Sequence, residues 1–301
     1  MEIKNFLLCL GSLLIGISSN AATGVLVLAH GSMHGGSGHR QCHLTDPPPW
    51  EKSVLEVVKV AQLKFNLPTE VSFGMWETQC IDHSIEMLKA QMAPKKLDEL
   101  IVVPFFISSF SSVIEIQKYI FGLRGDLPLP IEVPRTSFKG KIKYTQAIDY
   151  SPAISEILKD RTKELVETSK TKSPQHQELY IVMHGPVEDL ANHKWLEMGQ
   201  RYAGDLSKFQ FMDIKVVSLR DDIDEPMRSQ ITEDLRGSIS TTLSRGREAL
   251  ILPHLLSNQG IQAGILDRLK DLEIVWTGKA LAPDLRLADI IVSRVKVEAR
   301  K

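Results

Sequence analysis

The sequence lacks several features that would assign it to common functional classes. It has 36 Lys+Arg residues against 37 Asp+Glu, a formal net charge of −1, so no overall basic field favours nucleic acid or an anionic membrane surface. It contains no GxxxxGK[ST] loop, which argues against a nucleotide-driven reaction, and no GxSxG elbow of a serine hydrolase. A histidine phosphatase would need arginine where Ala29 stands. These absences favour a small-molecule partner.

The sequence has only 3 cysteines, and the first lies in an N-terminal segment that resembles a secretory signal. Residues 1–22 place Lys4 before a short apolar core and end in small residues, which predicts cleavage after Ala21 or Ala22 and export to the periplasm or the outside. No later stretch is apolar enough to span a bilayer. Cys42 and Cys80 would then meet an oxidising compartment, where they could form a disulfide; alternatively, Cys42 could bind a metal.

The remaining chain alternates short apolar runs with longer segments of helical periodicity. GVLVLAH (24–30), TEVSFGM (69–75) and ELIVVPFF (99–106) read as buried strands, and amphipathic segments at 48–65, 81–92 and 112–123 read as helices. This βαβαβα order predicts an α/β fold with a parallel sheet covered by helices on both faces.

The same plan returns in the second half of the chain. ELYIVMHGP (178–186) repeats GVLVLAHGS, and DIKVVSLRD (213–221) repeats the second strand. In a later strand, Pro253 corresponds to Pro104. We therefore predict two tandem domains, at 23–138 and 177–301, joined by a connecting segment at 139–176 that contains a helix-like stretch. The two halves would form an internal pseudo-dimer within a monomer.

Histidines occupy positions where a parallel sheet places its ligand crevice. His30 and His184 each end a predicted strand, and each is followed by glycine, so both should lie at a carboxyl edge. The glycine-rich loop after His30 adds His34, His39 and His43, donors of a type that suits zinc, cobalt and nickel. The alternatives are strand-end histidines bonded to backbone and a merely solvated loop, because no rigid metal motif is present.

Several motifs together resemble a known family. LVLAHGS (26–32), VSFGM (71–75) and VVPFFISSFSSVIEIQKYIFGL (102–123), with ILPHLLSNQGIQ and WTGKALAPDLRLADII in the second half, resemble the two-domain, ATP-independent sirohydrochlorin cobaltochelatases and ferrochelatases. The resemblance implies two tandem chelatase-like domains and a lyase that inserts a divalent metal into sirohydrochlorin or a related tetrapyrrole. The metal would be a substrate, with cobalt(II) first and iron(II) or nickel(II) as alternatives.

The resemblance assigns His30 as the first active-site histidine, acting as metal ligand, base or both. His30, His34, His39, His43 and His184 are then the candidate metal ligands. A tetrapyrrole with many carboxylates would also attract cations near the cleft, for which the candidates are Arg40, Lys118, Arg124 and Arg220.

The sequence departs from the family at its second histidine. Phe110 and Ser112 hold that place in the first half, and Gln259 and Ile261 hold it in the second. We take Phe110, Ser112 and Glu115 as candidate substrate-binding residues, and His34, His39, His43, His254 or Glu115 as possible replacement donors. The competing interpretation is an exported protein that binds or delivers a transition metal on the same fold without chemistry.

Overall fold

The computed structural model describes residues 22–31, 42, 46–257 and 260–301. The predicted signal segment, apart from Ala22, lies outside these residues. Five residues assigned or considered for the site also lie outside them: His34, His39, Arg40, His43 and Gln259.

The first sheet has four parallel strands in the order β2-β1-β3-β4. Its central strands are buried almost throughout, because both faces of a parallel sheet are covered by helices. The strands are β1 (Ala22–Ala29), β2 (Thr69–Ser72), β3 (Leu97–Phe105) and β4 (Lys141–Tyr144).

The second sheet repeats this arrangement, in the order β6-β5-β7-β8. Its strands are β5 (Gln177–Met183), β6 (Asp213–Ser218), β7 (Glu248–Pro253) and β8 (Ile274–Val275). The predicted fold class, two parallel sheets flanked by helices in an α/β arrangement, is confirmed.

Strand register makes the two halves comparable residue by residue. Leu28 of β1 is the partner of Pro104, and Val182 of β5 is the partner of Pro253. His30 and His184 each lie two residues beyond these partners, so they occupy equivalent positions in the two sheets. The sequence repeat therefore corresponds to equivalent positions of His30 and His184 in the two sheets.

Eight α-helices cover the sheets in the part of the chain that the structure describes. Several helices begin with proline in the first turn or with a serine side chain that caps the N-terminus, as expected at these positions. The helices are α1 (Pro49–Phe65), α2 (Thr78–Met92), α3 (Ser112–Ile120), α4 (Pro152–Thr168), α5 (Asp189–Leu206), α6 (Met227–Ser244), α7 (Ile261–Leu269) and α8 (Leu287–Ala299). None of these described helices is long and apolar enough to cross a membrane.

The helices that end each half pack on the other half. α4, which follows the first sheet, contacts β7 and α5, whereas α8, at the C-terminal end, contacts α1 and β3. One apolar cluster accordingly includes buried residues of both sheets, such as Val27 and Ile181, and of α8, such as Ile291. The halves share a core.

The segment 139–176, which the sequence suggests is a connection, contains two structural elements. β4 pairs with β3 in the first sheet, and α4 confirms the helix-like stretch. The sequence missed β4 because four residues at a sheet edge give little hydrophobic signal. The domain limits 23–138 and 177–301 stay predictions.

Cys42 and Cys80 form a disulfide, with their Cα atoms 4.9 Å apart. Of the two roles considered for Cys42, disulfide and metal ligand, the structure has the disulfide. The bond joins the chain after β1 to the first turn of α2.

Candidate functional site

His30 lies at the carboxyl edge of the first sheet, directly after β1, and is exposed. Its backbone is fixed there because the indole Nε1–H of Trp50, on the first turn of α1, donates a hydrogen bond to the His30 carbonyl oxygen. The ring Nδ1 is 2.6 Å from the carbonyl oxygen of Gly31. In the neutral tautomer that makes this hydrogen bond, the ring lone pair is on Nε2, a nitrogen that commonly binds metals.

His184 occupies the equivalent place in the second sheet and is half-buried. Its Nε2 is 3.5 Å from Oδ2 of Asp222, an ion pair only when the ring is protonated. Gly185 follows with φ +77°, and an added Cβ would lie 1.8 Å from the hydroxyl of Ser218. Glycine is therefore required for the chain to turn directly after this histidine.

The N-terminal part of α5 links the carboxyl edges of the two sheets. The Nε1–H of Trp195 donates to the carbonyl oxygen of Phe110, in the loop after β3, at 2.8 Å. One turn earlier, Asn192 Oδ1 accepts a hydrogen bond from the Ser218 hydroxyl, at the end of β6, at 2.6 Å. The strand ends of both halves thus border one region.

The three candidate substrate-binding residues lie along the loop after β3 and the start of α3. Phe110 is 48% exposed. Ser112 is the first residue of α3, whose N-terminus is capped by the side chain of Ser111. Glu115 forms ion pairs with Lys118 at 2.7 Å and with Arg124 at 2.6 Å.

The carboxylate of Glu115 is stabilised in its charged form. Partial burial acts to raise the pKa of Glu115, but hydrogen bonds from Lys118 and Arg124 outweigh it and lower the pKa below its usual range. The same contacts occupy Lys118 and Arg124, the cations considered for substrate carboxylates. This group is a compact ion cluster rather than a single unpaired carboxylate.

His254, considered as a replacement donor, is buried in the core. It follows Pro253, and its register position matches that of Phe105 in the first half. The side chain is 1% exposed, its ring lies 5.0 Å from the Tyr202 ring between centroids, and neither ring nitrogen has a hydrogen-bond partner among the described residues. Burial lowers the pKa of His254 to about 4. This ring does not face a crevice.

Arg220, also considered for substrate carboxylates, serves the backbone instead. It is buried with φ +52°, and its guanidinium donates to the carbonyl oxygens of Pro186 and Val187. These bonds fix the turn after His184.

Similarity to known proteins is found among solved structures. No protein-family model matches the sequence, and no curated protein matches it. Among solved structures, DR2241 from Deinococcus radiodurans matches with a TM-score of 0.51 and 15% identity over 91% of this chain. DR2241 is described as a multi-domain protein with structural similarity to chelatases and two additional novel domains.

The fold of this chain is similar to that of DR2241. The chain spans 54% of DR2241, about half its length. At this identity the likeness concerns the fold alone.

The described residues contain no group of three or more His, Cys, Asp or Glu that could hold a metal ion. Two of the predicted metal ligands, His30 and His184, lie among the described residues. The assignments of His34, His39 and His43 stay predictions. A cavity of about 330 Å³ is lined by residues of α6, α7 and the turn before α6: Glu225, Arg228, Ser229, Thr232, Glu233 and Arg268.

Two residues near the site were missed by sequence reasoning. Asp149 accepts hydrogen bonds from the backbone and hydroxyl of Ser109, and Trp195 bonds Phe110 from the other half. Neither lies in a motif, and 85 residues separate Trp195 from its partner. The segment after β4 brings Asp149 to the loop after β3 from within the first half, and the packing of the two halves brings Trp195 there.

Proposed function

We propose that the protein is a chelatase-like lyase that inserts a divalent metal into sirohydrochlorin or a related tetrapyrrole. Cobalt(II) is the first candidate metal, with iron(II) and nickel(II) next. One observation carries the proposal: on a chelatase-like fold, His30 is exposed at the carboxyl edge of its sheet, and His184 has the equivalent position in the other half.

The chemistry of insertion suits an exposed imidazole. The reaction needs a group that holds the ion while it loses water and a base for two pyrrole protons. A neutral imidazole, with an ordinary pKa of about 6.5, can do either near neutral pH. We assign this role to His30, with its backbone fixed by Trp50. The metal and the macrocycle are both substrates, and no nucleotide takes part.

A second donor is needed where the family has its second histidine. Glu115 is engaged by two cations and His254 is buried, which leaves His184 as the donor that the described residues favour. His34, His39 and His43 stay proposed ligands on the basis of sequence.

We also propose that the protein works outside the cytoplasm, as a secreted or periplasmic monomer. The Cys42–Cys80 disulfide supports this, because such bonds persist in oxidising compartments. The signal-like composition of residues 1–22 is a second, sequence-based argument.

The alternative is an exported protein that binds or delivers a transition metal without inserting it. The observation that favours this alternative is the loop after β3, where Phe110 and Ser112 replace the family histidine. Metal binding without insertion needs no second site for a macrocycle.

The deciding experiment mixes purified protein with metal-free sirohydrochlorin and cobalt(II) and follows metallation by absorbance. We expect a rate above the spontaneous reaction, and we expect His30→Ala to remove most of it. His176→Ala is the matched control, because His176 is also exposed but precedes β5 at the opposite edge of the sheet. No enhancement by the wild type, together with tight cobalt binding in calorimetry, would favour the delivery protein. Equal rates for both variants would place the site elsewhere.

A further inference from the structure

The loop after β3 is held by a set of hydrogen bonds centred on Ser109. The carboxylate of Asp149 accepts from the Ser109 backbone N–H and from its hydroxyl, both at 2.7 Å. The same hydroxyl oxygen accepts from the backbone N–H of Ala147 at 2.9 Å. Asp149 has φ +51°, a conformation that Asp and Asn tolerate better than most residues. The segment after β4 thus fixes the loop from within the first half.

The second half fixes the next residue of the same loop. Trp195 is 7% exposed and donates from Nε1 to the carbonyl oxygen of Phe110 at 2.8 Å. The backbone N–H of Phe110 donates to the Ser108 hydroxyl at 3.2 Å. Both polar groups of the Phe110 backbone therefore have partners, one of them across the junction between halves.

The side chain of Phe110 is nevertheless half-exposed. Burying an aromatic ring is favourable. Here the backbone is anchored from both halves while the ring is left at the surface. His30 follows Ala29, whose register partner on β3 is Phe105, so His30 and this loop leave neighbouring strands at the same edge.

We propose that the Phe110 ring is a platform on which one face of the planar conjugated macrocycle stacks, and that Asp149 and Trp195 are its positioning residues. The inference rests on the proposed function, and it assigns Phe110 to substrate binding rather than to metal chemistry. Stacking favours offset contact between flat π-systems, which a fixed, exposed ring offers without reorganisation.

Binding of metal-free sirohydrochlorin, followed by fluorescence quenching without metal, tests the platform directly. We expect Phe110→Ala to bind about tenfold more weakly, and Phe110→Trp, which retains an aromatic ring, to bind within about threefold of wild type. Leu63→Ala, which removes an 80% exposed side chain from α1, is the control and should bind as wild type does. Equal binding by wild type and Phe110→Ala overturns this inference alone. A wild-type protein that does not bind the macrocycle overturns the proposed function, and this inference with it.

Positioning is tested with Asp149→Asn and Trp195→Phe. The first keeps the backbone conformation and removes the charge, whereas the second keeps an aromatic ring and removes the N–H donor. Because stacking acts equally on ground and transition states, both variants should raise KM for the macrocycle several-fold and leave kcat unchanged. A fall in kcat with KM unchanged, or no change in either constant, contradicts the positioning role.

Discussion

His254 is a polar ring in an apolar part of the core, 1% exposed. Its equivalent in the first half is Phe105, an apolar ring. A buried imidazole whose two ring nitrogens have no hydrogen-bond partner among the described residues is destabilising, because the nitrogens lose their contacts with water. Burial also favours the neutral ring, as the pKa of about 4 indicates.

We predict that His254→Phe stabilises the protein by about 1–3 kcal/mol at pH 7, measured by denaturant unfolding. His254→Leu is a second variant in case phenylalanine overpacks the site. The reciprocal change, Phe105→His, should destabilise the first half. A loss of stability in both His254 variants would show that the imidazole makes a favourable contact.

The same residue makes stability depend on pH. The folded pKa of about 4 lies below the ordinary value of 6.5, so the unfolded chain takes up a proton first as the pH falls. Stability is therefore complete above about pH 6.5 and declines as the pH falls toward 4, by on the order of 3 kcal/mol for this group. In the His254→Phe variant this part of the pH dependence should be absent. Unfolding measured at pH 7 and pH 4.5 compares the two.

At the scale of elements, the sequence was informative about central strands and less so about edge strands. β1, β3, β5 and β7 each have a neighbouring strand on both sides, and each contains a run of apolar residues that stands out in the sequence. β4 reads KIKY and β8 has two residues. Such short edge strands are defined by pairing with a neighbour, which is a property of the assembled sheet.

The sequence also does not predict which sheet each helix packs on. The periodicity of α4 predicts a buried face but does not say which sheet covers it. The same applies to the candidate site: the motif after β1 predicts His30, whereas Asp149 and Trp195 depend on contacts between segments that are distant along the chain.

The disulfide is a link between elements whose contribution can be measured. It closes a loop with a sequence separation of 38 residues, for which chain entropy gives about 3–4 kcal/mol of stabilisation. We predict that the double variant Cys42→Ser/Cys80→Ser loses about 2–4 kcal/mol of unfolding free energy. Reductant should lower the stability of wild type to the same level and should not affect the variant. Equal stability of wild type with and without reductant would contradict this contribution.

At the scale of the whole molecule, α4 and α8, which each pack on the other half, are anchored by matching contacts. Arg294 of α8 donates to the carbonyl oxygens of Ala147 and Ile148 in the first half, at 3.1 and 3.0 Å. Arg161 of α4 donates to the carbonyl oxygen of Ala280 in the second half, at 3.3 Å. The backbones that follow β4 and β8 are thus each held by an arginine from the opposite half.

Because α4 and α8 each pack on the other half, we predict that the two halves unfold together. Ile291 on α8 is fully buried in the cluster that includes residues of both sheets, whereas Val297 on the same helix is 56% exposed. We expect Ile291→Ala to lower the unfolding free energy by about 2–5 kcal/mol and Val297→Ala to change it by less than about 0.5 kcal/mol. Hydrogen exchange should then increase in α1 and β3, which α8 contacts, and in the second sheet, with one unfolding transition. Two separate transitions, or exchange raised only near α8, would mean that each half folds on its own.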